Sequence, residues 1–120
     1  IEELRSLGVR SSIFVNADKE SMDLARMINT DAIEFYTGPY AQDFDKDREL
    51  AVEKYVYAAE IANTLGLRIN AGHDLNLENL AFFKNNVKYL SEVSIGHAIV
   101  SDALYIGIEK AIHAYKECLS

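Results

Sequence analysis

Residues 65–73 read LGLRINAGH, and the fold class predicted for the chain depends mainly on this stretch. Gly66 is a typical stop for the helix that is predicted before it, over residues 46–65. After this glycine, apolar and polar residues alternate over 67–70, which is the period of a strand with one apolar face. The stretch therefore predicts a helix that turns into a strand, with a glycine and a histidine at the carboxyl end of that strand.

The same succession of strand and helix recurs on both sides of this stretch. β-Branched and aromatic residues predict strands at 9–16, 32–37, 67–70 and 92–95. Apolar residues at helical spacing predict helices at 19–29, 46–65, 77–87 and 97–105 and a last helix from 107, with Asp18 and Asn76 as N-caps. A polar loop is predicted after Gly38-Pro39. Each link is long enough for a crossover, so we expect parallel strands.

Alternation within the strands bears on the fold class, because central strands of a doubly wound sheet are covered on both faces and read as continuous apolar runs. Here one face is apolar (Ile13, Val15, Ile33, Phe35, Leu67, Ile69, Val93, Ile95) and the other is mainly polar (Ser12, Asn16, Glu34, Tyr36, Arg68, Asn70, Glu92, Ser94). We interpret the chain as α/β, the C-terminal half of a TIM (β/α)8 barrel made of four parallel strand-helix units, with the polar face inside. A one-sided sheet with its polar face in water explains the alternation equally well.

The first residues indicate a partial domain. Residues 1–8 read as the last turns of a helix closed by Gly8, with no initiating methionine and no N-cap. A (β/α)8 barrel usually takes about 250 residues, roughly twice the length of this chain. We therefore expect residues 1–120 to form a single partial domain whose N-terminal half is absent.

Composition and charge exclude several classes of function. No apolar run approaches the roughly 20 residues needed to cross a bilayer, and the chain has no secretory leader, so a soluble cytoplasmic protein without a membrane partner is expected. The formal net charge is −7 and the basic residues are scattered, which argues against nucleic acid and implies that any anionic ligand is small. The one cysteine, Cys118, cannot form an internal disulfide.

The tetrad SIGH, residues 94–97, follows the last predicted strand. Barrel enzymes commonly bind phosphate in the loops after their last two strands, against a helix N-terminus. Gly96 permits close approach of the backbone, and His97 opens the next helix, where backbone amides and the helix dipole favour an anion. A strand-to-helix turn with a capping histidine explains the same residues without a ligand.

The tetrad NAGH, residues 70–73, places an imidazole at the end of the third predicted strand. His73 can gain and lose a proton near neutral pH, which makes it the first candidate for a general acid or base, with Asp74 beside it. The alternative is a structural histidine. The oxygen-bearing side chains over 74–78 match no calcium loop or zinc pattern and are better explained by a helix cap, so no metal is expected.

Glu34 lies in the middle of the second predicted strand, on its polar face. In a closed barrel this carboxylate would face the interior, where burial is costly unless the group meets a partner or acts on a substrate. The alternative is a structural ion pair with Arg68.

Four motifs in the same order give the chain an end-to-end resemblance to the C-terminal half of the pyridoxine 5′-phosphate synthase family. They are SIFV (12–15), IEFYTG (33–38) followed by Tyr40-Ala41, LGLRINAGH (65–73) and EVSIGHAI (92–99). The resemblance implies a (β/α)8 barrel that condenses 1-deoxy-D-xylulose 5-phosphate with 3-amino-2-oxopropyl phosphate in vitamin B6 biosynthesis. The products implied are pyridoxine 5′-phosphate, inorganic phosphate and water. The resemblance also implies a homo-oligomer and no metal or organic cofactor.

By the same resemblance, His73 corresponds to the proton donor and Glu34 to a carboxylate that stabilises the transition state. Asp74, Gly96 and His97 correspond to contacts with 3-amino-2-oxopropyl phosphate. The residue after the NAGH histidine is often glycine in this family, and a backbone contact would survive its replacement by aspartate. Other acid–base residues and the first phosphate contacts belong to the family's N-terminal half, so residues 1–120 alone are expected to be inactive.

A function of a different class stays open, namely a free-standing phosphate-binding or assembly module that uses Gly96 and His97 without chemistry. An open reading frame that begins at Ile1 would favour this module. An upstream half with four further strand-helix units would favour the synthase.

Overall fold

In the computed structural model, which describes residues 1–120, four strands alternate with helices. The strands are β1 (Ser12–Val15), β2 (Ala32–Tyr36), β3 (Arg68–Gly72) and β4 (Leu90–Ser94). The helices are α1 (Glu2–Ser6), α2 (Lys19–Met27), α3 (Gly38–Asp43), α4 (Arg48–Thr64), α5 (Leu80–Asn86), α6 (His97–Ile106) and α7 (Ile108–Cys118). None of these helices has the length and apolar character that a membrane span requires.

The strands lie in the sheet in their order along the chain, and each neighbouring pair is parallel. A doubly wound sheet reverses its strand order at a switch point, and this sheet has no such reversal. Because crossovers between parallel strands are right-handed, an unreversed order keeps the connecting helices on one face. The fold is therefore α/β, with four parallel strands alternating with helices as in half of a (β/α)8 barrel.

The two faces of the sheet differ as the alternation predicts. On the helix-covered face, Ile33, Phe35 and Ala71 are fully buried. On the opposite face, residues align in rows across the strands: Phe14, Glu34, Asn70 and Glu92 form one row, and Tyr36, Gly72 and Ser94 form the next towards the carboxyl ends. Phe14 departs from the polar character of this face and contacts the Tyr36 ring, with 5.5 Å between ring centroids.

Helix α4 covers the apolar face of the sheet with a buried stripe of Ala51, Val52, Tyr55, Ala58, Ala59 and Ala62. Next to it, the buried rings of Tyr40, Tyr55 and Phe83 pack edge to face, with centroids 5.0–6.1 Å apart. Such aromatic pairs contribute about 0.5–1.5 kcal/mol each beyond the area they bury. This aromatic cluster lies close to the carboxyl end of β2, as shown by the hydrogen bond that Tyr55 Oη donates to the carbonyl of Tyr36, the last residue of β2.

The predicted strand bounds are wrong in detail. Strand β3 continues to Gly72 instead of ending at residue 70, because Ala71 and Gly72 still pair with β2 on one side and with β4 on the other. Strand β1 is shorter than predicted, beginning at Ser12, and β4 runs from Leu90 to Ser94 instead of over 92–95.

Two predicted connections also differ from the structure. The polar loop predicted after Gly38-Pro39 is helix α3, whose first turn accommodates Pro39 because an amide there needs no partner within the helix. Asn76 does cap a turn, with its Oδ1 accepting from the amides of Glu78 and Asn79. Helix α5 nevertheless begins at Leu80 instead of residue 77.

Candidate active site

An open cleft of about 920 Å³ lies at the carboxyl ends of β2, β3 and β4. It is lined by Tyr36, Gly38, Pro39, Ala41, Gln42, His73, Asp74, Leu75, Asn76, Ser94, Gly96, His97, Ala98 and Ser101. Four predicted site residues are therefore brought together from two loops that are more than 20 residues apart in sequence: His73, Asp74, Gly96 and His97. This is the end of a parallel sheet at which α/β proteins bind their ligands.

Glu34 does not line this cleft but lies one row deeper on the same face of the sheet. The possible ion pair between Glu34 and Arg68 is not present, because Arg68 instead donates to Glu92 Oε1 at 2.6 Å. The Glu34 carboxylate occupies the space that a Cβ on Gly72 would need, and the Cβ and carbonyl oxygen of Ser94 lie 3.1 Å from the same point. Gly72 therefore lets side chains from β2 and β4 converge beside the residue that precedes His73.

The next two residues of the β3 loop, which we define as residues 73–79, have unusual backbone conformations. His73 has a φ of 89° and Asp74 a φ of 58°, both in the left-handed region that glycine favours and that aspartate tolerates better than most residues. His73 Nδ1 lies 2.9 Å from Asp74 Oδ2. With Nδ1 directed at this carboxylate, Nε2 is the imidazole nitrogen left for a ligand.

The His73 ring also has an aromatic neighbour. It meets the Tyr36 ring edge to face, with 4.9 Å between centroids and 79° between planes. About half of the His73 side chain is exposed to solvent, at 50%, and this exposed part faces the cleft. The histidine is therefore held by Asp74 and Tyr36 while remaining accessible to a ligand.

Buried polar groups support the β3 loop from below. Thr37, at 0% exposure, hydrogen-bonds to the carbonyls of Gly72 and His73. Asn79, at 2% exposure, donates through Nδ2 to the carbonyl of Asp74 at 3.2 Å, and its own carbonyl accepts from Tyr40 Oη at 2.7 Å. These bonds connect the loop to the aromatic cluster of the core.

The β4 turn, which we define as residues 95–97, is different. Gly96 is the N-cap of α6, has a φ of −111° and would meet nothing within 4 Å if it carried a Cβ. No neighbouring atom therefore excludes a side chain at this position. Both Gly96 and His97 are exposed, and no side chain caps the helix.

The electrostatics of the cleft limit how an anion can be bound. No lysine or arginine is among its lining residues, whereas hydroxyl groups of Tyr36, Ser94 and Ser101 are. An anion in this part of the cleft would be bound by backbone amides at the start of α6 and by neutral or imidazole donors. The structure assembles no group of three His, Cys, Asp or Glu side chains that could hold a metal ion.

Sequence reasoning missed three residues of this region. Tyr36 was placed on the polar face but given no role, although it ends β2 two residues after Glu34. Ser101 stands four residues after His97 and so shares its helix face, a signal that was available in the sequence. The contacts of Thr37 link residues 35 and 36 positions apart, and no local pattern signals them.

Comparison with known proteins agrees with the motifs. The model of the family described as "Pyridoxal phosphate biosynthesis protein PdxJ" matches residues 1–120. The pyridoxine 5′-phosphate synthase of Parabacteroides distasonis is 52% identical over 120 residues, which are all of this chain and 50% of that protein. Those of Porphyromonas gingivalis and Christiangramia forsetii are 48% and 50% identical over 120 and 119 residues, again 50% of each protein.

The chain thus spans about half the length of the curated relatives that it matches. The family model covers the chain from its first residue to its last, including both tetrads at the cleft. The chain belongs to the PdxJ family of pyridoxal phosphate biosynthesis proteins.

Proposed function

We propose that this chain provides one half of the active site of a pyridoxine 5′-phosphate synthase. The complete enzyme condenses 1-deoxy-D-xylulose 5-phosphate with 3-amino-2-oxopropyl phosphate and yields pyridoxine 5′-phosphate, inorganic phosphate and water. The observation that carries the proposal is the convergence of His73 and Gly96-His97 on one cleft at the carboxyl ends of neighbouring strands. Curated relatives at 48–52% identity have this name.

His73 is the proposed proton donor. The condensation expels phosphate and water, and an oxygen leaves more readily when a general acid protonates it. Contact of Nδ1 with Asp74 orients the ring and leaves Nε2 facing the cleft for this transfer. Asp74 also offers its backbone to 3-amino-2-oxopropyl phosphate, a contact that does not depend on the identity of its side chain.

Glu34 is the proposed electrostatic stabiliser of the transition state. Its carboxylate reaches Gly72, the residue before His73, and has no ion-pair partner within residues 1–120. A carboxylate in this position stabilises positive charge that develops on a nitrogen-containing intermediate above it.

The β4 turn is the proposed binding site for the phosphate of 3-amino-2-oxopropyl phosphate. The amides of Gly96 and His97 open a helix of 10 residues, and a ligand oxygen can approach Gly96 without meeting a side chain. Since the cleft contains no lysine or arginine, we expect cationic phosphate contacts to come from the other half of the enzyme.

The remaining properties of the enzyme are proposed on the same basis. Residues 1–120 form the second half of one (β/α)8 domain, and the complete protein is a cytoplasmic homo-oligomer that uses no metal or organic cofactor. The polypeptide of residues 1–120 alone has no synthase activity, because it holds only part of the acid–base and phosphate-binding groups.

The test is an assay of pyridoxine 5′-phosphate formation from the two substrates. A full-length protein that carries this chain is compared with the purified polypeptide of residues 1–120. We expect product from the full-length protein only. Product from the short polypeptide would overturn the claim of half a site. Phosphate binding by the full-length protein without product would favour the non-catalytic phosphate-binding module.

A further inference from the structure

Thr37 is a buried polar residue that the proposed mechanism does not use. It follows directly after β2, has 0% exposure and does not line the cleft. Its amide donates to the carbonyl of Gly72 at 2.9 Å. Its Oγ1 lies 2.6 Å from that carbonyl oxygen and 2.5 Å from the carbonyl oxygen of His73, so one hydroxyl proton is shared between two acceptors.

The carbonyls that Thr37 contacts, those of Gly72 and His73, lie at the start of a turn with an unfavourable backbone conformation. His73 and Asp74 adopt positive φ angles in succession, and neither is glycine. Residues in such sparsely populated regions persist only where surrounding contacts impose them. The hydroxyl of Thr37 is the side-chain group that bonds to the carbonyl of His73 itself.

A second contact holds the far side of this turn. Asn79 Nδ2 donates to the carbonyl of Asp74 at 3.2 Å, and Tyr40 Oη donates to the carbonyl of Asn79 at 2.7 Å. The turn at His73 and Asp74 is therefore fixed before it by Thr37 and after it by Asn79. Of the two, Thr37 acts on the residue that carries the imidazole.

We propose that Thr37 is a positioning residue for His73. Its hydroxyl keeps the His73 peptide in the left-handed conformation that directs the imidazole into the cleft, between Asp74 and Tyr36. This inference rests on the proposed function and assigns the reaction a residue that contacts neither substrate. Because the β4 turn lies on another strand end, its phosphate contacts do not depend on Thr37, and the main effect of Thr37 falls on the step that uses His73.

The test compares three variants of the full-length protein that carries this chain. Thr37→Val removes the hydroxyl at nearly constant volume, and Thr37→Ser retains it. Thr64→Val is the matched control, since Thr64 Oγ1 also donates to a backbone carbonyl, that of Glu60 at 2.9 Å, but at the exposed end of α4. For each variant, kcat, KM for 3-amino-2-oxopropyl phosphate and Tm are measured.

We expect Thr37→Val to lower kcat by about 10- to 100-fold, the scale of loss when a reacting group is displaced by about 1 Å. We expect its KM to rise by no more than about threefold, because the turn supplies one backbone contact, that of Asp74, whereas phosphate binding by backbone amides at the β4 turn is unchanged. Thr37→Ser should restore kcat to within about threefold, and Thr64→Val should leave both constants unchanged.

The proposal is overturned if Thr37→Val keeps the wild-type kcat, if kcat and KM change to the same extent, or if Thr37→Ser loses as much kcat as Thr37→Val. Where Thr37→Val does not fold, Thr37→Ala replaces it, and failure of both to fold shows a purely structural residue and also overturns the proposal. An inactive wild-type protein would instead reject the proposed function, so the two failures are distinguishable.

Discussion

The carboxyl ends of β3 and β4 meet in the same cleft but are built in opposite ways. At the end of β3, His73 and Asp74 adopt positive φ angles, and buried side chains of Thr37 and Asn79 bond to their carbonyls. At the end of β4, Gly96 has ordinary φ, open space around it and no side-chain cap. The end of β3 is hydrogen-bonded to buried side chains, and we call it the rigid end. The end of β4 presents exposed backbone groups, and we call it the open end.

This difference matches the two kinds of chemistry proposed for the two ends. Proton transfer requires a side chain within hydrogen-bond reach of its target, about 2.6–3.2 Å between heavy atoms, and a fixed turn holds the side chain at that distance. Phosphate binding by helix amides requires only access to the helix N-terminus. The positive φ angles are thus found at the strand end where the His73 side chain must be oriented. The exposed glycine is found at the strand end where the ligand must contact backbone amides.

The largest expected effect is on turnover at the rigid end. In the full-length protein, His73→Asn removes the proton-transfer group and should lower kcat by about 10²–10⁴-fold, the usual contribution of general acid–base catalysis. Steady-state assay of pyridoxine 5′-phosphate formation measures the loss. His113→Asn, an exposed histidine on α7, is the matched control and should retain wild-type turnover. A loss of less than threefold for His73→Asn would remove the histidine from the mechanism.

Replacing glycine by alanine should lower the free energy of unfolding more at Gly72, in the rigid end, than at Gly96, in the open end. A Cβ at Gly72 would displace the Glu34 carboxylate and crowd the Cβ and carbonyl oxygen of Ser94, each 3.1 Å away. We expect Gly72→Ala to lower the free energy of unfolding of the full-length protein by about 1–3 kcal/mol, as overpacking usually does. Denaturant titration measures the change. An unchanged midpoint would show that the strand ends are less closely packed around Gly72 than the structure indicates.

Tyr55, whose hydroxyl bonds to the last residue of β2, should make the free energy of unfolding depend on pH in the alkaline range. Burial raises the pKa of Tyr55 from its ordinary value of 10.0 to about 12, and its hydroxyl donates to the carbonyl of Tyr36 at 2.7 Å. The folded protein therefore holds this proton more tightly than the unfolded chain does. The resulting stabilisation is complete below pH 10 and is lost as the pH rises through about 12.

Tyr55→Phe should abolish this part of the pH dependence and lower the free energy of unfolding at neutral pH by about 1 kcal/mol, the net contribution of one hydrogen bond. Urea unfolding between pH 7 and pH 12 checks both effects. Tyr57→Phe is the control, because the Tyr57 side chain is 61% exposed. The same pH slope in the wild type and in Tyr55→Phe would contradict the expectation.

The smallest effect on stability is expected at the open end. Gly96→Ala introduces a Cβ that meets no protein atom within 4 Å, so the free energy of unfolding should change by less than about 1 kcal/mol. Affinity for 3-amino-2-oxopropyl phosphate should fall about tenfold, because the methyl group enters the space proposed for the phosphate. Denaturant titration and calorimetric titration measure the two quantities. A large loss of stability would show that Gly96 is needed for folding.

Sequence alone predicted those features of the fold that depend on local periodicity. Alternation of apolar and polar residues assigned Ile33, Phe35 and Ile69 to the buried face, and the structure confirms this face. The sequence also placed NAGH and SIGH at the carboxyl ends of two strands. Parallel strands bring these ends to one edge, and His73 and His97 line the same cleft there.

The remainder depends on contacts that no local pattern records. Glu34 and Glu92 lie in one row on either side of Asn70, and Arg68 pairs with Glu92, a choice that depends on tertiary packing and not on the local sequence. The late start of α5 goes with the bonds of Asn79 to Asp74 and Asn76 in the β3 loop. These contacts are decided only when the strands are assembled.

The most direct test of the contrast between the two ends is calorimetric titration of the full-length wild type, His73→Asn and Gly96→Ala with 3-amino-2-oxopropyl phosphate. We predict that His73→Asn binds 3-amino-2-oxopropyl phosphate with a Kd within about threefold of the wild type although its turnover is lost. Gly96→Ala should bind the same substrate about tenfold more weakly. The reverse order, with binding lost in His73→Asn and retained in Gly96→Ala, would contradict the assignment of proton transfer to the β3 end and phosphate binding to the β4 end.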